Sequence, residues 1–192
     1  MARGFKRKGE RYVARLDEAE RTVVVGLLSQ TRDFVAPPEA AETGDALEDL
    51  VASWSAPDDL GSLESRDPAL ERLLPNANRQ DDEAAAEFRR LTERTLRERK
   101  VAHLSTAIEA LSAAEGDRMA LDRGQAQALA IGLTDVRLVL GERLGLRTDE
   151  DADLLHRLTS ESADPDDPRV LLAAYYDFLT WLQESVTIAL MG

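Results

Sequence analysis

The sequence predicts a mainly α protein, a helical bundle-like domain that opens with a short N-terminal β-hairpin. Three observations predict it. Apolar residues recur at helical spacing through four long segments, near 17–35, 81–114, 122–146 and 167–190. Start and stop signals bracket those segments. Only the first sixteen residues carry an alternating, strand-like pattern. The 192 residues suit a single domain with a real core. Within it, 1–16 is the hairpin and 36–66 reads as a mobile insert or linker.

The elements follow in order. In GFKRKGERYVARL, Tyr12, Ala14 and Leu16 alternate with Val13 and Arg15, and Gly9 suits a tight turn near Lys8-Gly9. Asp17 with Glu20 three residues on is a capping box. Val24, Leu27, Leu28, Thr31, Phe34 and Val35 then form one helical face, closed by Pro37-Pro38. Residues 36–66 are rich in Ala, Asp, Glu, Ser, Gly and Pro, with one short helix expected over 47–54. RDPALERLLP at 66–75 reads as a short helix, capped by Asp67, entered by Pro68 and stopped by Pro75.

The longest helix is expected over 81–114, with Phe88, Leu91, Thr95, Val101, Leu104, Ile108 and Leu111 on its apolar stripe. Glu115-Gly116-Asp117 breaks it. Asp122 caps a further helix that stops near Gly145. A short one follows at 148–158, with acids in its first turn, where the helix dipole favours them. The last helix, 167–190, aligns Leu171, Tyr175, Phe178, Leu182 and Val186, while Ala174, Trp181 and Ile188 make it apolar on a second side. Such a helix is central to a bundle or lies in an oligomer interface.

Composition excludes several chemistries. There is no cysteine, hence no disulfide, thiolate metal site or thiol redox chemistry. The two histidines, His103 and His156, stand far apart. No apolar leader of signal-peptide type opens the chain, so it is expected in the cytoplasm. The most apolar stretch, 170–190, is interrupted by Asp177 and Glu184 and reads as a buried helix rather than a membrane span. Gly-rich phosphate loops, nucleophile elbows and Ser-His-acid arrangements are missing, so no catalysis and no cofactor are expected. Asp149, Glu150, Asp151, Asp153 and His156 suit a helix N-terminus without a metal. QAQALAIGLTDVRLVLGERL has too few outward polar groups for a recognition helix and reads as a buried one.

Charge is the most telling feature. Six cations stand against Glu10 alone in the first sixteen residues, a net of +5 in a chain of net −13, leaving −18 on the rest. Lys6, Arg7, Lys8 and Arg11 are the leading candidates for contacts with nucleic acid phosphates or an acidic partner. A second cluster, at 89–100, offers Arg90, Arg94 and Arg97 on one helical face, and could extend the same surface. The competing reading of both is a solvated hairpin and a helix face laced with close pairs such as Arg94 with Glu98.

Several stretches together resemble the actinobacterial AosR family: FKRKGERYVARLDEAERTVVVGLLSQ, RDPALERLLPNAN, the helix from Glu83, and YYDFLTWLQESVTIAL. That family was long known only as a domain of unknown function, is often encoded near the ClpS adaptor, and takes its name from a proposed role in oxidative-stress transcription. The resemblance implies a non-enzymatic regulatory protein that controls transcription in a stress response. Thiol sensing does not carry over to a chain without cysteine. The alternative is a protein-interaction or adaptor module, dimeric and linked to proteolysis, without DNA binding. A protein partner is expected, with DNA and a second copy of the chain as the other partners this reading admits.

Overall fold

The computed structural model describes residues 2–37, 67–75, 82–148, 150–151 and 168–192, with the backbone alone over 82–91. The elements are β1 (Arg3–Lys8), β2 (Arg11–Arg15), α1 (Glu18–Val35), α2 (Pro68–Leu73), α3 (Asp82–Ser112), β3 (Arg118–Leu121), α4 (Arg123–Arg143) and α5 (Pro168–Met191). The fold is mainly helical, with five helices among the described residues and an N-terminal hairpin, the class the periodicity predicts. The insert at 36–66 and the helix expected over 47–54 fall almost wholly outside the described residues. So does most of the helix expected at 148–158, of which only 148 and 150–151 are described.

The hairpin turns at Gly9-Glu10, one residue later than expected, because Gly9 adopts φ 63°, which costs a glycine nothing. Tyr12, Ala14 and Leu16 are buried, the inward set of the alternation. A third strand, β3, pairs antiparallel with β2 and gives the order β1-β2-β3. It has only four residues, RMAL, too short for its alternation to stand out in the sequence.

α1 begins with the expected capping box. The Glu20 N–H donates to Asp17 Oδ1 at 2.9 Å, and the Asp17 N–H donates to Glu20 Oε2 at 2.9 Å. The other Glu20 oxygen accepts the Ala2 N–H at 3.0 Å, so one carboxylate starts the helix and ties down the chain ahead of β1. Asp122 repeats the device at the start of α4 with Gln125. α2 is stapled to the end of α4 by Arg72 to Glu142 at 2.5 Å and Arg143 to Asp67 at 2.6 Å.

The helix at the centre is α4, not α5. It packs against α1, α2, α3, α5 and two strands. Its Gly132 allows this, since a Cβ there would meet Leu28 Cδ2 at 3.0 Å and Leu104 Cδ2 at 3.3 Å. α5 lies at the flank, against α4 and the hairpin. Leu179, Leu182, Val186 and Ala189 enter the core, but Leu171 is 49% exposed and Ile188 70% exposed. The breadth of its apolar surface therefore does not reflect a central position. Thr95 of α3 is likewise exposed rather than on the inward stripe.

Candidate functional site

Strand register sorts the hairpin's cations. Directly opposed residues of antiparallel strands share a face, and residues two apart on one strand share it too. Since Tyr12 and Ala14 point inward, Arg11, Val13 and Arg15 point outward. Lys8 stands opposite Arg11, Lys6 opposite Val13, and Arg3 opposite Arg15. Across the other seam Arg118 stands opposite Arg15, and Ala120 opposite Val13. One face thus carries Arg3, Lys6, Lys8, Arg11, Arg15 and Arg118, all exposed.

A bulge makes this possible. Between Arg3 and Lys6 the register shifts by one residue. Without the shift, side chains three positions apart would face opposite ways. The extra residue turns both outward.

None of the three strands contains an acid, and Glu10, the hairpin's lone carboxylate, sits in the turn. Among the described residues none of the six side chains makes an ion pair or a side-chain hydrogen bond. Arg7 is different. Its register position is opposite the inward Tyr12, and its Nε donates to the Gly9 carbonyl at 3.1 Å. Of the four leading candidates, then, Lys6, Lys8 and Arg11 share the open face and Arg7 lies off it. Arg118 is a cation of this face that sequence reasoning missed, because β3 itself was missed.

The second basic cluster is built otherwise. Arg94 pairs with Glu98 at 3.1 Å across one helical turn. Arg97 is mostly buried; it pairs with Glu93 at 2.7 Å and its Nη1 donates to the Val35 and Ala36 carbonyls, each at 3.2 Å. It therefore satisfies orphan carbonyls at the end of α1. Arg90 lies outside the described side chains. Arg97 meets α1 at its C-terminus, whereas the hairpin feeds its N-terminus. Eighteen helical residues rise roughly 27 Å, so the two clusters are set at opposite ends of α1 and do not merge.

Beside Arg97, Lys100 donates to Asp135 Oδ1 at 2.6 Å. Asp135 is only 3% exposed, and its Oδ2 has no hydrogen-bond partner. Burial holds the Asp135 carboxyl above its ordinary value, against the pull of Lys100 and of His103. This pair joins α3 to α4.

A family model aligns with residues 2–190, from the start of β1 to the last turn of α5. The chain belongs to the DUF2017 family, a domain of unknown function. No match was found among curated proteins or among solved structures.

The DUF2017 fold also holds a cavity of about 320 Å³ between α1, α4 and the start of α5, lined by Leu27, Gln30, Phe34, Val139, Arg143 and Leu172. Its cation is already engaged: Arg143 pairs with Asp67 and lies 5.9 Å over the Phe34 ring. Among the described residues no group of three or more His, Cys, Asp or Glu is placed to hold a metal ion, and no helix is long and apolar enough to cross a membrane.

Proposed function

We propose that this DUF2017 protein is a cytoplasmic, non-enzymatic regulator of transcription that binds nucleic acid through the open face of its sheet. The observation that carries the reading is the set of six outward cations with no acid among them. Antiparallel strands lie about 4.8 Å apart and side chains on one face of a strand repeat every ~7 Å, so the cations form a lattice rather than a point. Such a lattice suits a repeating row of phosphates, each of which gives up a counterion when neutralised. The likeness to the AosR family supports the choice of DNA and a stress response.

The rest of the chain works against binding at long range. With +6 on the sheet face, the remainder of the molecule is strongly acidic and repels polyanions beyond the screening length. Binding is therefore local and steeply salt-dependent. Fluorescence anisotropy with promoter fragments is expected to give a slope of log K against log salt near about −5 if all six cations engage. A Lys6, Arg11 and Arg15 to Ala variant is expected to lower that slope to roughly half and to lose affinity. Wild-type and variant curves that coincide would remove the sheet from the interface.

A second reading, a protein-binding adaptor or homodimer, is favoured by the exposed apolar side chains of α5, with Ile188 70% and Met191 84% exposed. Light scattering tests the dimer, and a monomer mass at every concentration counts against it.

A further inference from the structure

Two helix faces of matching pattern stand apart. Leu27, Gln30, Thr31 and Phe34 follow the i, i+3, i+4, i+7 spacing on α1, and Val136, Val139, Leu140 and Arg143 repeat it on α4. With Leu172 of α5 they line the cavity of about 320 Å³, a volume at the lower end of small-ligand sites. Its lining is mostly apolar, and two polar groups decide what fits. Thr31 is only 4% exposed. Four other helical threonines, Thr22, Thr106, Thr134 and Thr180, donate their hydroxyls to the carbonyl four residues back. The Thr31 hydroxyl makes no such bond and has no partner among the described residues. It is not sealed within the packing either, so the cavity is the space it opens on. A buried hydroxyl left unpaired costs free energy that a ligand oxygen would return. Arg143 is the second group. Its Nη2 donates to Asp67 Oδ2 at 2.6 Å, in a pair whose side chains are 48% and 32% exposed. Its remaining N–H groups have no hydrogen-bond partner among the described residues. Both groups flank Phe34, Thr31 one turn before it on α1 and Arg143 with its Cζ 5.9 Å from the ring centroid.

We propose that this cavity binds a small monocarboxylic acid with an apolar body, its carboxylate held by Arg143 with the Thr31 hydroxyl as a second donor. The body meets Leu27, Phe34, Val139 and Leu172, which accept an aliphatic chain or a ring alike. A carboxylate accepts from several donors at once, so a guanidinium and a hydroxyl serve it together. A dianionic phosphate calls for more cation than one guanidinium shared with Asp67. A cationic ligand meets Arg143 with like charge, and a purely apolar one leaves Thr31 unpaired. Asp67 yields its place at little cost. An ion pair this exposed contributes little, and Asp67 Oδ1 still accepts the Ala69 N–H at 2.8 Å as the cap of α2. The cavity lies toward the end of α1 remote from the hairpin, so the inference stands independently of the nucleic-acid reading.

The test titrates the full chain with octanoate, 4-phenylbutanoate and 1-octanol, followed by calorimetry and by backbone amide chemical shifts. At least one of the acids is expected to bind with Kd on the order of 100 µM. The alcohol, which has no charge for Arg143, is expected to bind at least ~10-fold more weakly. The shifts are expected to centre on residues 27–34 of α1 and 136–143 of α4. Arg143→Met keeps an apolar stem and is expected to erase the preference for acid over alcohol while leaving octanol affinity unchanged. Thr31→Val is expected to weaken the acid about 5-fold. Asp67→Asn retains a capping side chain and is expected to tighten the acid about 3-fold, because it frees Arg143. Circular dichroism checks that the variants fold, and the comparison of acid with alcohol needs no variant. Preference for octanoate or for 4-phenylbutanoate names the body as a chain or a ring and sustains the proposal either way. Binding of neither acid up to about 5 mM overturns it. Equal affinity for acid and alcohol overturns it as well, and so do shifts centred on the outer side of α5 or on the sheet cations.

Discussion

The two arginine-rich stretches, 3–15 and 89–100, have similar composition and opposite fates. In the first, the pleat and one bulge turn all the cations but Arg7 to one solvent face, where none makes an ion pair among the described residues. In the second, helical spacing sets Arg94 and Arg97 one turn from Glu98 and Glu93, and packing draws Arg97 and Lys100 in between helices. The difference teaches that a count of basic residues says little about binding. What matters is whether the fold has already spent the charge on its own acids and carbonyls. Apart from Arg7, which donates to the Gly9 carbonyl, the hairpin cations are uncommitted, and the described side chains of α3's cluster at 94, 97 and 100 are not.

Breaking the committed pairs is expected to cost stability, and removing the uncommitted ones is not. Lys100→Met has the largest expected effect, about 3 kcal/mol by urea denaturation, because it strands the buried Asp135 carboxylate. Adding Asp135→Leu is expected to recover much of that loss, since neither charge is then left alone. The pH dependence sharpens the point. The Asp135 carboxyl is held above its ordinary 3.8 by burial, so the native state takes up its proton before the unfolded chain does. The stability it contributes is full below that ordinary value and falls as pH rises through its folded-state value. Asp135→Asn is expected to flatten this part of the stability profile.

Arg97→Ala comes next, at about 2 kcal/mol, with the loss of its bridge and of two carbonyl partners at the end of α1. Hydrogen exchange is expected to show the last turn of α1 opening first. The smallest effects complete the contrast. Arg94→Ala, an exposed pair one turn apart, is expected to change stability by less than about 0.5 kcal/mol. The Lys6, Arg11 and Arg15 to Ala variant is expected to fall in the same narrow range while losing polyanion affinity. A large loss of stability from that triple change, or a small one from Lys100→Met, would dissolve the distinction between the two regions.

The helices were legible because their signals are local. Capping acids at 17, 67 and 122, prolines at 37, 68 and 75, and stripes of period 3.6 lie within a few residues of what they specify. β3 was not legible, since four residues give too few alternations and a strand is defined by the partner it finds. The same holds for the site. That six cations crowd the first sixteen residues was plain, and so was the inward set of Tyr12, Ala14 and Leu16. That Arg7 drops out and Arg118 joins depends on a bulge and on pairing across more than a hundred residues. The separation of the two basic clusters depends on which end of α1 each one meets.

By itself, then, the sequence determined the helical class, the hairpin, the absence of thiol chemistry and the concentration of charge, because each follows from composition or short-range periodicity. Only the tertiary structure decided that α4 is the central helix and which cations are free. Those outcomes come from register, crossing and close approach, as at Gly4 and Gly132, where contacts between distant segments select among arrangements that local preference leaves equal.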